Sequence, residues 1–182
     1  MKSLVYDKIR LGVAVLLYLC ATSWADAKVK LPALISDGMV LQREQSVKVW
    51  GTADAGENIT IEFQKKSYHA TADANGQWSI TLPPLKAGGP FLMQINDIKL
   101  NDILVGDVWL CSGQSNMELP VKRVMDMFSN EILNYNNEKI RHILIPQKYN
   151  FHAPQEEISA TSWKTLTQKN VMEFSALAYF FA

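Results

Sequence analysis

Apolar and polar residues alternate from Val29 to about Asp102, and this pattern constrains the fold more than any other feature of the chain. Ile59, Ile61 and Phe63 are a clear example, since residues two apart lie on the same face of a strand. Turn residues interrupt the alternation so regularly that a helix has little room. We therefore predict an antiparallel β region, and several short strands at this spacing favour a small β-sandwich over a barrel.

The β region contains a turn signal and three residues with a possible functional reading. Asn75-Gly76 supplies the positive φ angles of a two-residue hairpin turn. Trp50 and Trp78 could form a sugar-stacking platform, but the strand periodicity favours two core tryptophans. His69 has no carboxylate or second histidine at a metal-ligand spacing, so we predict a surface histidine, with no metal site and no cofactor.

The alternation stops at Asn101-Asp102, where a continuous apolar run begins. The run from Val105 to Cys111 is typical of a buried central strand. A helical pattern follows through Val124 and Phe128, and residues 140–145 then indicate a second strand. Strand, helix and strand in this order predict a right-handed crossover and the start of a parallel α/β sheet.

The predicted organisation is thus all-β followed by α/β, with residues 28–102 as a small β-sandwich domain and residues 103–182 as the beginning of an α/β domain. Helical spacing near the end of the chain places Phe174, Leu177 and Phe181 on one face. Because the sequence stops at Ala182 within this helix and without a capping residue, we expect a truncated chain.

Residues 1–27 have the layout of a secretory signal peptide, with basic residues, an apolar run and small residues in succession. Cleavage is expected after Ala25 or Ala27, which predicts a secreted or periplasmic protein. The apolar run is short for a permanent membrane span, which needs about 20 residues. The mature chain then keeps one cysteine, Cys111, and no internal disulfide.

Ser115 follows the apolar run after Ser112-Gly113, two small residues that permit a sharp turn. A serine at the carboxyl end of a strand in an open α/β sheet is well placed for nucleophilic chemistry. The alternative is that Ser115 caps the amino terminus of a helix, a common role for serine. From these residues alone capping is the commoner outcome.

The charges are balanced, with 18 basic and 18 acidic residues in 182. The chain has no run of basic residues that would follow a phosphate backbone, so nucleic acid is not expected as a partner. Arg123 and Arg141 are available to bind a carboxylate, but we interpret both as solvated surface residues.

Three segments resemble the sialate O-acetylesterase family, a group of carbohydrate esterases with a catalytic domain of the SGNH-hydrolase type. The most specific is Asp107–Glu118, which contains Gly-Gln-Ser-Asn-Met, and the others are Leu34–Gln42 and Phe174–Ala182. The resemblance implies an SGNH-like α/β/α domain after residue 102. Met117 stands where the common α/β-hydrolases have the second glycine of G-x-S-x-G.

The resemblance implies that Ser115 is the nucleophile and that its backbone N–H donates to the oxyanion hole. Gln114 and Asn116 are the predicted substrate-binding residues. The family's general base, a histidine with an aspartate in a late Asp-x-x-His, is not present in this sequence, and neither His142 nor His152 is assigned that role. We therefore expect the chain alone to be inactive.

The predicted function is an exported serine esterase that removes O-acetyl groups from sugars through an acyl-Ser115 intermediate. Acetylated sialic acid or other acetylated glycans are the expected substrates. The alternative is a non-catalytic carbohydrate-binding β-sandwich module. Nothing in the sequence indicates an oligomeric state.

Overall fold

The structure is a computed structural model that describes residues 29–134, 136–146, 151–153 and 162–182. The predicted signal peptide, residues 1–27, lies outside the described residues. Within these ranges, no helix has the length and apolar character needed to cross a membrane.

Strands dominate the described part of the chain, and the helices are short. The strands are β1 Val40–Gln42, β2 Val47–Thr52, β3 Asn58–Phe63, β4 Lys66–Thr71, β5 Gln77–Leu82, β6 Gly88–Ile95, β7 Ile98–Gly106, β8 Asn137–His142 and β9 Lys164–Leu166. The α-helices are α1 Ser115–Glu118, α2 Ser129–Leu133 and α3 Ala176–Phe181, with 3-10 helices at Val121–Arg123 and Val171–Glu173.

The first seven strands form a five-stranded sheet in the order β1-β7-β6-β3-β4 and a two-stranded sheet of β2 and β5. The predicted β region is confirmed, but the purely antiparallel pairing is wrong, because β1 runs parallel to β7 with Val40 opposite Leu104. The predicted hairpin at Asn75-Gly76 is also wrong. The turn exists, with Gly76 at φ 74°, but it connects β4 to β5, which belong to different sheets.

Both sheets bury one face in the same hydrophobic cluster. The period-two pattern explains this directly, since Ile59, Ile61 and Phe63 of β3 all point inward and residues two apart share a face. Each such side chain contributes about 1.5–3 kcal/mol by burial. Of the two tryptophans, Trp78 lies in this core, as predicted, whereas Trp50 is 37% exposed.

The predicted domain boundary at Asn101-Asp102 lies inside strand β7. Ile103 pairs with Phe91 and Leu100 pairs with Met93, so β7 has one residue more than β6 between these pairs. Asp102, one of the two β7 residues between these pairs, has φ 59°. The polar pair at residues 101 and 102 therefore marks a β-bulge, which uses the same residue types as a turn. The division into domains stays a prediction.

The predicted buried strand from Val105 to Cys111 is wrong beyond Gly106. Trp109 and Leu110 are 67% and 85% exposed, and Cys111 is an exposed free thiol. A central strand needs a hydrogen-bonding neighbour on each side, and the described residues supply none after Gly106. Among these residues β8 pairs antiparallel with β9 instead of joining a parallel sheet.

A second hydrophobic cluster is formed by residues that follow α1. Its buried members are Val121, Val124, Ile132, Leu166, Val171, Phe174, Ala176 and Tyr179. The predicted apolar face of the last helix is wrong in part, because Phe174 is buried but Leu177 and Phe181 are half exposed. Ser175 begins α3, and its side chain accepts a hydrogen bond from the Ala178 N–H at 3.3 Å.

Arg141 of β8 joins the two hydrophobic clusters, so its interpretation as a solvated surface residue is wrong. Its side chain is 5% exposed and forms an ion pair with the Asp102 carboxylate at 2.8 Å. The same guanidinium donates to the carbonyl oxygens of Gly38 and Asp102. The Trp163 indole N–H donates to the Leu34 carbonyl at 3.0 Å. We call these contacts of Arg141 and Trp163 the joint. The family-like segment Leu34–Gln42 therefore contributes two carbonyl acceptors to the joint, those of Leu34 and Gly38. Arg123 is exposed, as predicted.

Candidate active site

Ser115 is the first residue of α1 and is exposed to solvent. The capping position belongs to Gln114, whose backbone is extended at φ −104° and ψ −156°. Within the part of the chain that the structure describes, the Ser115 hydroxyl has no hydrogen-bond partner. The capping interpretation of Ser115 is therefore wrong, and its hydroxyl is available for chemistry.

The turn ahead of Ser115 requires small residues, as the sequence predicts. A side chain at Gly113 would place its Cβ 3.2 Å from the Met117 Cβ, which is tighter than ordinary van der Waals contact. The Met117 N–H donates to the Gln114 carbonyl at 2.9 Å and closes the turn. Gln114 and Asn116 are exposed on either side of Ser115, but their substrate-binding role stays a prediction.

The carboxyl end of α1 is attached to the segment around α3. The Ala176 N–H donates to the Leu119 carbonyl at 2.8 Å, and Pro120 forms an isolated β-bridge with Ser175. The Ser175 hydroxyl also lies 3.6 Å from the Met117 sulfur. Two of the three family-like segments, Asp107–Glu118 and Phe174–Ala182, are thus in direct contact.

The chain enters the Ser115 loop beside the end of β1. The Val108 N–H donates to the Gln42 side-chain oxygen at 2.9 Å, and the Arg43 N–H donates to the Gly106 carbonyl at 2.8 Å. The Arg43 guanidinium lies 2.8 Å from the Asp107 carboxylate. The hydrogen bond and charge of Asp107 raise the pKa of Arg43 above its ordinary value. Gln42, Asp107 and Val108 lie in the family-like segments, but the sequence did not predict these contacts.

An exposed aromatic surface flanks the loop. The rings of Trp109 and Phe181 meet edge to face at 5.0 Å, and those of Phe128 and Phe180 meet at the same separation. All four side chains are more than a third exposed. The sequence predicts Trp109 within a buried strand, so the exposure of its side chain is a finding of the structure.

The contacts of His142 and His69 are with residues other than Ser115. His142 packs its ring 3.8 Å from that of Phe174, and its Nδ1 is buried with no hydrogen-bond partner. Burial, helped by the positive charge of Lys164, lowers the pKa of His142 to about 4. A general base works best with a pKa near the working pH, so His142 is poorly suited. His69 lies in β4, where its Nδ1 is 3.1 Å from the Thr60 hydroxyl.

The buried state of His142 predicts a pH dependence of stability. The folded pKa of about 4 lies below the ordinary value of 6.5, so the unfolded chain binds a proton that the folded chain does not. The free energy of unfolding is therefore expected to fall as the pH decreases from about 6.5 to about 4. His142→Phe removes this titration and keeps an aromatic ring beside Phe174. Urea unfolding of both proteins across this pH range tests the prediction, and parallel stability curves would contradict it.

The described ranges contain no group of three or more His, Cys, Asp or Glu residues that could hold a metal ion. The chemistry that the site does offer is that of an exposed hydroxyl at the start of a helix. The first N–H groups of a helix have no partner within the helix, so the Ser115 N–H is available to an oxyanion.

Comparison with known proteins supports an esterase. No family model matches the chain. The chain is 33% identical over 131 residues to the sialate O-acetylesterases of Homo sapiens and Pongo abelii, which covers 64% of this chain and 25% of each relative. The enzyme of Mus musculus is 30% identical over 130 residues. A crystal structure of a carbohydrate acetylesterase from Xanthomonas citri is 38% identical, with a TM-score of 0.79 over 85% of this chain and 36% of that one.

The chain is similar to the sialate O-acetylesterases over 64% of its length. The predicted resemblance is therefore confirmed, and the mostly β structure matches that of a carbohydrate acetylesterase. The chain spans about a quarter of the length of its curated relatives.

Proposed function

We propose that this chain forms part of a carbohydrate O-acetylesterase in which Ser115 is the nucleophile. The observation that carries the proposal is the likeness to an acetylesterase structure over 85% of the chain at 38% identity. The exposed Ser115 hydroxyl, without a hydrogen bond in the described residues, is compatible with nucleophilic attack. The proposed substrate is an acetylated sugar, either sialic acid or another glycan.

The proposed reaction proceeds in two steps. A general base takes the Ser115 proton, and Oγ attacks the acetyl carbonyl carbon while the Ser115 N–H donates to the oxyanion. The bond from the acetyl carbon to the sugar oxygen then breaks, the base gives its proton to that oxygen so that the sugar leaves with a free hydroxyl, and the acetyl group stays on Ser115. Water hydrolyses this ester to acetate and restores the serine.

The general base is the part of the mechanism that the described residues do not provide. A serine hydroxyl is a weak nucleophile without one, so we propose that this chain alone is inactive or slow. We also propose that the protein is exported, with cleavage near Ala25 or Ala27. The proposed fold is a β-sandwich followed by an SGNH-like domain.

A covalent probe tests the role of Ser115 directly. The chain is treated with a fluorophosphonate in the presence of imidazole, which supplies an external base, and the modified residue is located by peptide mass spectrometry. We expect an adduct on Ser115 and none on the neighbouring Ser112. Binding of an acetylated glycan without any adduct on Ser115 would contradict the proposal and favour a carbohydrate-binding module.

A further inference from the structure

The path of the chain from β7 into the Ser115 loop is held in part by one side chain, that of Gln42. β1 and β7 pair in parallel up to Gln42 and Gly106. After this pair β1 turns away, because Glu44 has φ 57° and donates its N–H to the Leu85 carbonyl. After the bond from the Arg43 N–H to the Gly106 carbonyl, no backbone hydrogen bond joins the described residues of β1 and the loop.

The Gln42 side chain replaces the missing backbone acceptor. Its oxygen accepts from the Val108 N–H at 2.9 Å, and its amide group donates to the Arg43 carbonyl at 3.2 Å. Gln42 is half-buried and Val108 is exposed, so this hydrogen bond lies at the surface of the molecule. The sheet pattern is thus extended by one residue through a glutamine.

Among the described residues, the bond between Val108 and Gln42 is the last hydrogen bond before the Ser115 turn. In the described residues no hydrogen bond holds residues 109–113, and the next one along the chain closes the turn from Met117 to Gln114. The far end of the loop is fixed by the contact between Leu119 and Ala176. The near end depends on Gln42 and on the neighbouring exposed pair of Arg43 and Asp107.

We propose that Gln42 is a positioning residue for the candidate nucleophile. It acts through Val108, since holding this amide fixes where the Ser115 loop starts. The proposal rests on the proposed function for its catalytic meaning. A small displacement of a reacting group can lower a rate by a large factor, so a contact at the start of a short loop is expected to influence the reactivity of Ser115.

Hydrogen exchange at the Val108 amide measures the contact itself. Gln42→Leu removes the acceptor, and we expect the Val108 amide to exchange about fivefold faster or more, which corresponds to the loss of one hydrogen bond. Gln42→Glu keeps an oxygen acceptor and should restore slow exchange. Gln45→Leu is the matched control, because Gln45 is exposed beside the same turn. The Ile61 amide in the core sheet reports global unfolding and should not change.

The rate of fluorophosphonate labelling at Ser115, with imidazole present, measures the consequence. We expect Gln42→Leu to slow labelling several-fold and Gln42→Glu to restore it, with Ile61 exchange unchanged. An unchanged Val108 exchange rate in Gln42→Leu would overturn the proposal, and so would faster exchange with unchanged labelling. If the wild-type chain is not labelled but Val108 responds as expected, the contact holds and the function proposed for Ser115 fails.

Discussion

Ser115→Ala is expected to abolish Ser115-dependent release of acetate from acetylated sugars and to have the largest effect of any single substitution. The side chain is exposed and bonds to no other described residue, so its removal should not change stability. In serine hydrolases that contain every catalytic residue, loss of the nucleophile lowers turnover by about a millionfold. The measurement is the acetate release rate with an external base.

Ser112→Ala provides the control for that experiment. Ser112 is exposed in the same loop and has the same side chain, but the proposed mechanism gives it no role. It should keep the wild-type rate, and both variants should unfold at the wild-type urea concentration. If the wild type releases acetate faster than the imidazole blank and Ser115→Ala keeps that rate, the serine is not the nucleophile.

Local patterns in the sequence predicted the strands and the core well. Ile59, Ile61 and Phe63 are all buried, because the side-chain period of a strand is a property of neighbouring residues. The pairing of strands is not local, and the parallel contact of β1 with β7 left no mark in either segment. A bulge and a turn use the same polar residues, so the sequence did not predict that Asp102 lies in a bulge inside a strand.

The candidate site was predicted in part for the same reason. Ser115 follows from a short contiguous motif, whereas the residues around it depend on distant contacts. Gln42 bonds to a residue 66 positions away, and Arg141 bonds to one 103 positions away. A lone glutamine or arginine in a sequence is normally a surface residue, and no pattern distinguishes these two. The prediction of a buried strand as far as Cys111 was wrong because hydrophobicity does not reveal whether neighbouring strands are present.

Arg141→Met is expected to lower the free energy of unfolding by about 2–3 kcal/mol. The Arg141 side chain is only 5% exposed. Its removal leaves the carbonyl oxygens of Gly38 and Asp102 without this donor. The half-exposed Asp102 carboxylate can be solvated instead, which keeps the cost below that of a fully buried pair. Urea unfolding followed by intrinsic tryptophan fluorescence measures the change.

Two further variants separate the joint from a general loss of charge. Arg123→Met removes an exposed guanidinium and should change stability by less than about 0.5 kcal/mol. Arg141→Lys keeps the charge but cannot donate to several oxygens in one plane, so it should recover only part of the loss. If Arg141→Met were as stable as Arg123→Met, the contacts of Arg141 with Gly38 and Asp102 would not stabilise the joint. We expect Arg123→Met to be the most stable variant, followed by Arg141→Lys and then Arg141→Met. Because both methionine variants lose the same charge, a difference between them comes from the contacts of Arg141.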